Sequence, residues 1–211
     1  MSIQELSVKA QLAQASYSAL SAGMSEIGLA DGLRPLGGDF TATQAQQFAA
    51  KYSVVLQYDD RSPGGNNTGL SLTVFKDTST NQLTLAIRGT TASDPNDLAT
   101  DGSIFINGAG YDQIVALYNW WQRASAAFGT PVHQYVIADT DQGDPNALAI
   151  PGGYLVRKAD AAASGELIAS GALASDPDLR LDVTGHSLGG HLAMAFGALF
   201  GASTASVTSF N

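Results

Sequence analysis

The sequence lacks cysteine and has few basic residues, and each shortage excludes a class of chemistry. With no Cys among 211 residues, disulfides, Cys-based zinc sites and thiol catalysis are excluded. The three histidines, His133, His186 and His191, are too few for a His-rich metal site. The formal net charge is −9 with only 10 Lys and Arg, and no basic stripe is present. We therefore expect no nucleic-acid partner and no attachment to anionic lipid by a basic patch.

The sequence also has no long apolar run and no N-terminal targeting pattern. No run reaches the ~18 residues of a membrane span. The opening Met-Ser-Ile-Gln-Glu-Leu has neither the basic nor the apolar region of a secretory signal peptide. We expect no transmembrane segment, and a soluble protein that is either cytoplasmic or secreted without an N-terminal signal peptide. A chain of 211 residues that is 45% hydrophobic suffices for one domain with a sizeable core.

The most informative stretch, residues 181–190, reads Leu-Asp-Val-Thr-Gly-His-Ser-Leu-Gly-Gly. A short strand, residues 181–184, leads into Gly185-His186-Ser187-Leu188-Gly189, and an apolar helix over residues 188–200 follows at once. This order is typical of a nucleophile elbow, in which a serine on a strained turn projects above a sheet. Glycines flank the serine because a side chain at either position would collide with neighbouring backbone. Ser187 is therefore a candidate nucleophile; the alternative is an ordinary strand–helix turn.

A second informative spot is Arg88-Gly89-Thr90, where a predicted strand over residues 83–88 ends. An acyl-transfer enzyme holds the oxyanion with two donors. One is the N–H after the nucleophile, here that of Leu188, and the other comes from a loop after an earlier strand. Thr90 is suitably placed, and its hydroxyl is a possible third donor. Taken alone, Arg-Gly-Thr is an ordinary strand-end turn; paired with the elbow, it favours an oxyanion hole.

The remaining pattern predicts an α/β fold: a mostly parallel sheet with an antiparallel hairpin at its start, flanked by helices. Helices are expected at residues 5–20, 42–51 (capped by Thr41), 112–128 and 153–169, and further strands at 52–58, 70–76, 132–137 and 205–210. Strands and helices alternate from residue 110 onward, which favours parallel crossovers. The Trp-containing helix, residues 112–128, is either a core helix or a lipid-facing lid or cleft wall. Residues 139–144 faintly resemble a calcium loop, but a solvated loop is favoured.

The Arg88-Gly89-Thr90 strand end, followed by a segment with Asp97 and Asp101, and the run Val-Thr-Gly-His-Ser-Leu-Gly-Gly-His-Leu-Ala at 183–193 resemble class 3 lipases. These are α/β-hydrolases that act on triacylglycerols and related lipids. Within that group the chain is similar to the N-terminal catalytic part of bacterial secreted lipases and phospholipases A1. The resemblance implies that residues 1–211 are the N-terminal part of one catalytic domain. It also implies Ser187 as the nucleophile, and Thr90 and Leu188 as the oxyanion donors.

The sequence departs from that family in one respect. In the family the acid and the base follow the serine, whereas no Asp or Glu follows Ser187 here, and His191 is the one later histidine. We interpret His133, His186 and His191 as packing or hydrogen-bonding residues. The resemblance then implies that the triad Asp and His lie beyond residue 211, together with the family's calcium-binding repeats. Residues 1–211 are expected to hold no cofactor, with calcium possible in a longer protein, and the expected partners are a lipid ester and the remaining C-terminal part.

Several functions share the elbow motif. A triacylglycerol lipase is the first interpretation, and a phospholipase A1 or a soluble esterase is the alternative within the same chemistry. A different class, a non-catalytic α/β module or an inactive fragment, is favoured by the missing base. A serine hydroxyl without a base is a weak nucleophile, so the 211-residue chain alone is expected to be nearly inactive.

Overall fold

The computed structural model describes residues 1–35, 38–61, 67–89, 110–158, 169–176 and 178–210. The chain divides into two compact units, one formed by Met1–Leu98 with Arg180–Asn211 and the other by Ala99–Leu179. Together they make an α/β protein with a mixed five-stranded sheet and a small three-stranded antiparallel sheet. The stretch that contains Ser187 belongs to the first unit.

Three helices precede the sheet in the first unit: α1 (Ile3–Ala15), α2 (Glu26–Gly32) and α3 (Ala42–Lys51). Thr41 caps α3 as predicted, and its capping box with Gln44 satisfies two backbone N–H groups that the helix leaves unpaired. Ser2 and Glu5 form the same arrangement on α1. The helix predicted over residues 5–20 therefore starts earlier and ends at Ala15, and α2 was not predicted.

The five strands of the main sheet are β1 (Tyr52–Asp59), β2 (Ser71–Asp77), β3 (Leu83–Ile87), β7 (Leu181–His186) and β8 (Thr204–Phe210). They lie in the order β1-β2-β3-β7-β8, antiparallel from β1 to β3 and parallel from β3 to β8. The antiparallel start agrees with the prediction. Among the described strands the parallel part comprises β3, β7 and β8, so the sheet is mixed. The β3–β7 register pairs Ile87 with Gly185, which brings the ends of both strands to one edge.

Both faces of β2 are buried, because side chains that point to opposite sides of the strand are inaccessible to solvent. Phe75 on one face contacts Phe48 of α3 with ring centroids 5.4 Å apart, while Leu72 and Val74 on the other face are fully buried. The α1 helix lies on β7, where the Lys9 Nζ to Asp182 Oδ2 distance is 2.6 Å and the Thr184 hydroxyl donates to the Lys9 carbonyl at 3.2 Å. These contacts place the end of α1 close to the edge that carries Ser187.

The β2–β3 turn supplies a pH-dependent part of the stability. Burial opposes ionisation of Asp77, but hydrogen bonds from the hydroxyl and amide of Ser79 and the amide of Thr80 outweigh it, so the pKa of Asp77 falls to about 2. A lowered carboxyl pKa stabilises the fold above the unfolded value and loses that contribution as the pH falls through the folded value. We expect Asp77→Asn to lower the free energy of unfolding by about 1 kcal/mol at pH 7. The deficit should shrink as the pH falls and vanish only below about pH 2 in urea titrations; a deficit that persists below that pH would contradict this origin.

The second unit contains α4 (Tyr111–Ser125) and the strands β4 (Tyr135–Ala138), β5 (Leu148–Ile150) and β6 (Gly153–Arg157). The strands form an antiparallel sheet of order β4-β6-β5. The helix predicted over residues 153–169 is therefore wrong at its start, and residues 159–168 lie outside the described part. A turn with positive φ at Gly152 and Gly153 folds β6 back onto β5, and pairing on both edges overrides the helical spacing. The parallel crossover expected through this region is likewise replaced by antiparallel pairing.

The α4 helix is a core helix of its unit. Trp120 and Trp121 are 3% and 5% exposed, with ring centroids 5.9 Å apart. The Asn119 side chain pairs with the backbone of Tyr135 through hydrogen bonds of 2.8 and 2.9 Å, which joins the helix to β4. Of the two interpretations left open for this segment, buried tryptophans favour the core helix over the lipid-facing lid.

Helix α5 (Leu188–Leu199) follows Ser187 and packs on the sheet through Leu192, Ala193 and Phe196. Its apolar sequence predicts burial on all sides, but Met194 and Leu199 are 51% and 47% exposed. Helix α5 therefore carries apolar side chains that the described residues do not bury. No helix in the described ranges combines the length and hydropathy needed to span a bilayer.

Candidate active site

Ser187 lies at the turn between β7 and α5 in a conformation that side chains rarely adopt. Its φ is 56° and its ψ is −127°, a sparsely populated combination that costs of order 1–3 kcal/mol. Its N–H donates to the Phe210 carbonyl of β8 at 2.7 Å, which helps to hold the turn. Ser187 is exposed, as is His186 before it, whereas Gly185 and Leu188 are buried. A strained, exposed serine at the carboxyl ends of the parallel strands has the geometry expected of a nucleophile elbow.

The glycines around Ser187 are required by close backbone contacts. A Cβ on Gly185 would lie 2.2 Å from the Gly189 carbonyl oxygen, and one on Gly189 would lie 2.1 Å from the Ile87 carbonyl oxygen. A Cβ on Gly190 would lie 2.5 Å from the Ser209 hydroxyl. The first two distances are to main-chain atoms, which no rotamer change relieves. The predicted reason for glycine at 185 and 189 is thus confirmed, and Gly190 adds a third close contact.

The end of β3 lies directly against the first turn of α5. The position of a Cβ on Gly189 is 2.8 Å from the Arg88 carbonyl carbon and 2.9 Å from the Gly89 nitrogen. A Cβ on Gly89 would in turn lie 2.3 Å from the His186 carbonyl oxygen. The structure therefore brings together the two segments that the sequence paired as an oxyanion hole. Thr90, the donor predicted in the first of them, lies outside the described residues.

Leu188, the other predicted donor, is the first residue of α5. The first N–H groups of a helix have no partner within it, and no side chain caps this end of α5. The helix dipole also places partial positive charge there, which favours an anion close to the N–H groups. The Leu188 side chain is buried, 3% exposed, so its contribution at the turn is its main-chain N–H.

Arg88, although beside Thr90, is tied into the fold. It is 8% exposed, its Nη2 donates to the Gly69 carbonyl at 2.9 Å, and its Nη1 lies 3.7 Å from Asp59 Oδ2. A buried guanidinium with such partners acts as a brace between β3 and the segment that precedes β2. We therefore assign Arg88 a structural role.

All three histidines of the chain lie in the described ranges, and their contacts differ. The Nδ1 atom of His186 is 3.2 Å from the Tyr17 hydroxyl. His133, in the second unit, contacts the Arg157 guanidinium through both ring nitrogens. His191 is part of α5, and its Nε2 is buried without a hydrogen-bond partner within the described part. In these ranges no histidine side chain is hydrogen-bonded to Ser187, and the His186 and His133 side chains instead contact Tyr17 and Arg157.

The structure adds two residues that sequence reasoning missed. Tyr17, just beyond α1, places its hydroxyl against His186 and Gly89, and from the sequence it was only one residue of the predicted helix over residues 5–20. Asp60 is fully buried and accepts hydrogen bonds from Thr68 and Gly69. Burial raises the pKa of the Asp60 carboxyl, although those hydrogen bonds act in the opposite direction. No local pattern marks either residue, because both depend on contacts made after the chain folds.

The loop that faintly resembled a calcium site uses its carboxylates internally. Asp141 accepts the amide of Gly143 at 3.0 Å. Asp144 accepts the amides of Asn146 and Arg157 at 2.8 and 3.1 Å, and these hydrogen bonds lower its pKa. Across the described ranges, no three acidic, His or Cys side chains are grouped to hold a metal ion. These contacts support the solvated-turn interpretation of residues 139–144.

Comparisons with known proteins assign this chain to no group. No protein-family model, curated protein or solved structure matches it. What the residues around Ser187 do must therefore be argued from their geometry and chemistry. The strongest features are the conformation of Ser187, the close glycine contacts and the adjacent end of β3.

Proposed function

We propose that this chain carries the nucleophile half of a serine carboxylic-ester hydrolase of the class 3 lipase type. The observation that carries the proposal is the strained, exposed Ser187 at the start of α5, packed by glycines against the end of β3. The finer fold is proposed to be that of an α/β-hydrolase, with the described mixed sheet as its first part and residues 1–211 belonging to one catalytic domain. The motif resemblance supports lipid esters as the substrate class.

In the proposed reaction the Ser187 hydroxyl oxygen attacks the acyl carbonyl, and a histidine base takes its proton. The oxyanion that forms accepts hydrogen bonds from the N–H groups of Leu188 and Thr90. The carbonyl re-forms as the alcohol leaves with a proton, and water then releases the fatty acid from the acyl-enzyme. One oxyanion donor typically lowers the barrier by ~3 kcal/mol.

The proposed base and its carboxylate partner come from outside residues 1–211. The contacts of the histidines support a base from elsewhere, since the His186 side chain contacts Tyr17 and the His133 side chain contacts Arg157. The His191 N–H donates to the Ser187 carbonyl at 3.2 Å, which is a helix contact. The same proposal includes calcium-binding repeats in the rest of the protein and export without an N-terminal signal peptide. The alternative to export is a cytoplasmic location.

A fluorophosphonate probe tests the proposal, because it reacts with an activated serine and leaves a covalent adduct. Protein expressed from the complete natural gene should be labelled at Ser187, as located by peptide mass spectrometry. Ser187→Ala should abolish the label, whereas Ser7→Ala, at an exposed position on α1, should leave it unchanged. The 211-residue chain should be labelled at least about 100-fold more slowly, because the base is absent. Equal labelling of Ser187→Ala would reject the proposal.

The contacts of the histidines also favour a second candidate, a non-catalytic α/β module that retains the elbow as scaffold. A p-nitrophenyl ester assay separates the two, since a non-catalytic module predicts no hydrolysis in any form of the protein.

Within the hydrolase proposal, the preferred ester substrate distinguishes the lipase, the phospholipase A1 and the esterase. Preference for long-chain triacylglycerol emulsions favours a lipase, release of the first acyl chain of a phospholipid favours a phospholipase A1, and activity confined to short soluble esters favours an esterase.

A further inference from the structure

The Tyr17 hydroxyl occupies the junction between the two segments that would form the oxyanion hole. It lies 3.2 Å from Nδ1 of His186, the residue before Ser187. It also lies 2.3 Å from the position that a Cβ on Gly89 would occupy, so it fills the notch left by the missing side chain. Gly89 precedes Thr90 in the chain, and the hydroxyl therefore lies beside the residues that precede Ser187 and Thr90.

The main chain that carries Tyr17 is held firmly in the first unit. Its N–H donates to the Gln14 carbonyl at 3.2 Å, and the Ser16 hydroxyl donates to the Ala13 carbonyl at 2.7 Å. The same helix, α1, is joined to β7 through Lys9 and Asp182. A half-buried tyrosine on such a support presents its hydroxyl in a fixed place.

We propose that Tyr17 is a positioning residue for the reaction of Ser187. Its hydroxyl fixes the His186 ring at the end of β7 and closes the notch beside Gly89 at the end of β3. The two strand ends lead into the proposed oxyanion donors in the chain, Leu188 two residues after β7 and Thr90 three residues after β3. A bond that braces these ends is therefore expected to help position the donors. The inference rests on the proposed function, and it assigns Tyr17 no contact with substrate.

The expected effect follows from how sharply donor geometry controls the barrier. A displacement of about 1 Å in a catalytic arrangement can cost about 100-fold in rate. Loss of one hydroxyl that braces both strand ends should allow a smaller displacement, so we expect Tyr17→Phe to lower kcat about tenfold. KM should change less than about twofold, because the ground-state carbonyl depends less on these donors than the transition state does.

The test compares Tyr17→Phe with Tyr52→Phe in protein expressed from the complete natural gene. Tyr52 is a suitable control because it pairs with Asp77 at the opposite end of the sheet from Ser187. Hydrogen exchange of residues 86–89 and 185–188 should quicken in Tyr17→Phe alone, and kcat for a p-nitrophenyl ester should fall in that variant alone. His186→Asn, which keeps a polar group close to the position of Nδ1, should retain activity, whereas His186→Leu should behave like Tyr17→Phe.

The double variant of Tyr17→Phe with His186→Leu adds a further check. Both changes remove the same hydrogen bond, so kcat should fall no further than in the worse single variant. Unchanged exchange in Tyr17→Phe, or a kcat equal to that of Tyr52→Phe while the wild type is labelled at Ser187, would overturn the positioning role alone. Absence of wild-type labelling at Ser187 would overturn the proposed function, and the positioning role of Tyr17 in that reaction with it.

Discussion

Gly189→Ala should cause the largest loss of stability among single methyl additions near the site. The new Cβ would lie 2.1 Å from the Ile87 carbonyl oxygen and within 3 Å of main-chain atoms of Arg88 and Gly89. All three atoms belong to the main chain at the end of β3 and just after it, so α5 and this segment must move apart. We expect a loss of about 3 kcal/mol or more in the free energy of unfolding. Urea denaturation followed by circular dichroism measures it.

Gly201→Ala is the matched control, because it adds the same methyl group close to the far end of α5. A Cβ on Gly201 would meet nothing within 4 Å, and the φ of Gly201 is not positive, so alanine can adopt its backbone conformation. This variant should change the free energy of unfolding by less than about 1 kcal/mol. If Gly189→Ala were as stable as Gly201→Ala, the packing of α5 against the end of β3 would be wrong.

The second large effect concerns Ser187, for which two substitutions should change activity alike and stability differently. In protein from the complete gene, Ser187→Ala and Ser187→Gly should both lower ester hydrolysis by about 10,000-fold or more, because the nucleophile is gone. Ser187→Ala keeps a Cβ in the strained conformation, so its stability should stay within about 0.5 kcal/mol of wild type. The hydrolysis rate of a p-nitrophenyl ester measures the first effect.

Ser187→Gly should instead stabilise the protein. Relief of a strained φ of 56° returns of order 1–3 kcal/mol, and the greater freedom of glycine in the unfolded chain offsets about 0.5–1 kcal/mol. A net gain of about 1 kcal/mol over Ser187→Ala is expected in the same urea titration. A Ser187→Gly variant less stable than Ser187→Ala would show that the turn is unstrained. Strain retained at an exposed residue is typical of functional sites.

Capping residues and polar turns correctly predicted those helices and hairpins whose stabilising contacts lie within a few residues of one another in the chain. Helix α3 begins after Thr41 because a capping box needs only Thr41 and Gln44. The β2–β3 hairpin follows from two apolar runs joined by a polar turn, in which Asp77 accepts hydrogen bonds from its neighbours. In such segments the residues that specify the structure are the same residues that form its contacts.

Prediction failed where pairing between distant segments decided the structure. The spacing of apolar residues from 153 onward suits a helix, yet β6 pairs with β4 and β5 on both edges. The number of parallel strands also could not be predicted, because β4 was expected in the main sheet and lies in the small antiparallel one. Strand pairing of this kind depends on partners far along the chain, and local propensity yields to it.

The sequence by itself determined the turn at Ser187. Glycines at 185 and 189 flank the serine at fixed spacing, and the close contacts they permit arise within a few residues and with the adjacent strand. Only the tertiary structure decided what stands beside that turn. Tyr17 and His186 are 169 residues apart in the chain, and their contact exists because α1 packs on β7 through Lys9 and Asp182. A side chain's neighbours across such a separation are set by packing and pairing, which no local pattern encodes.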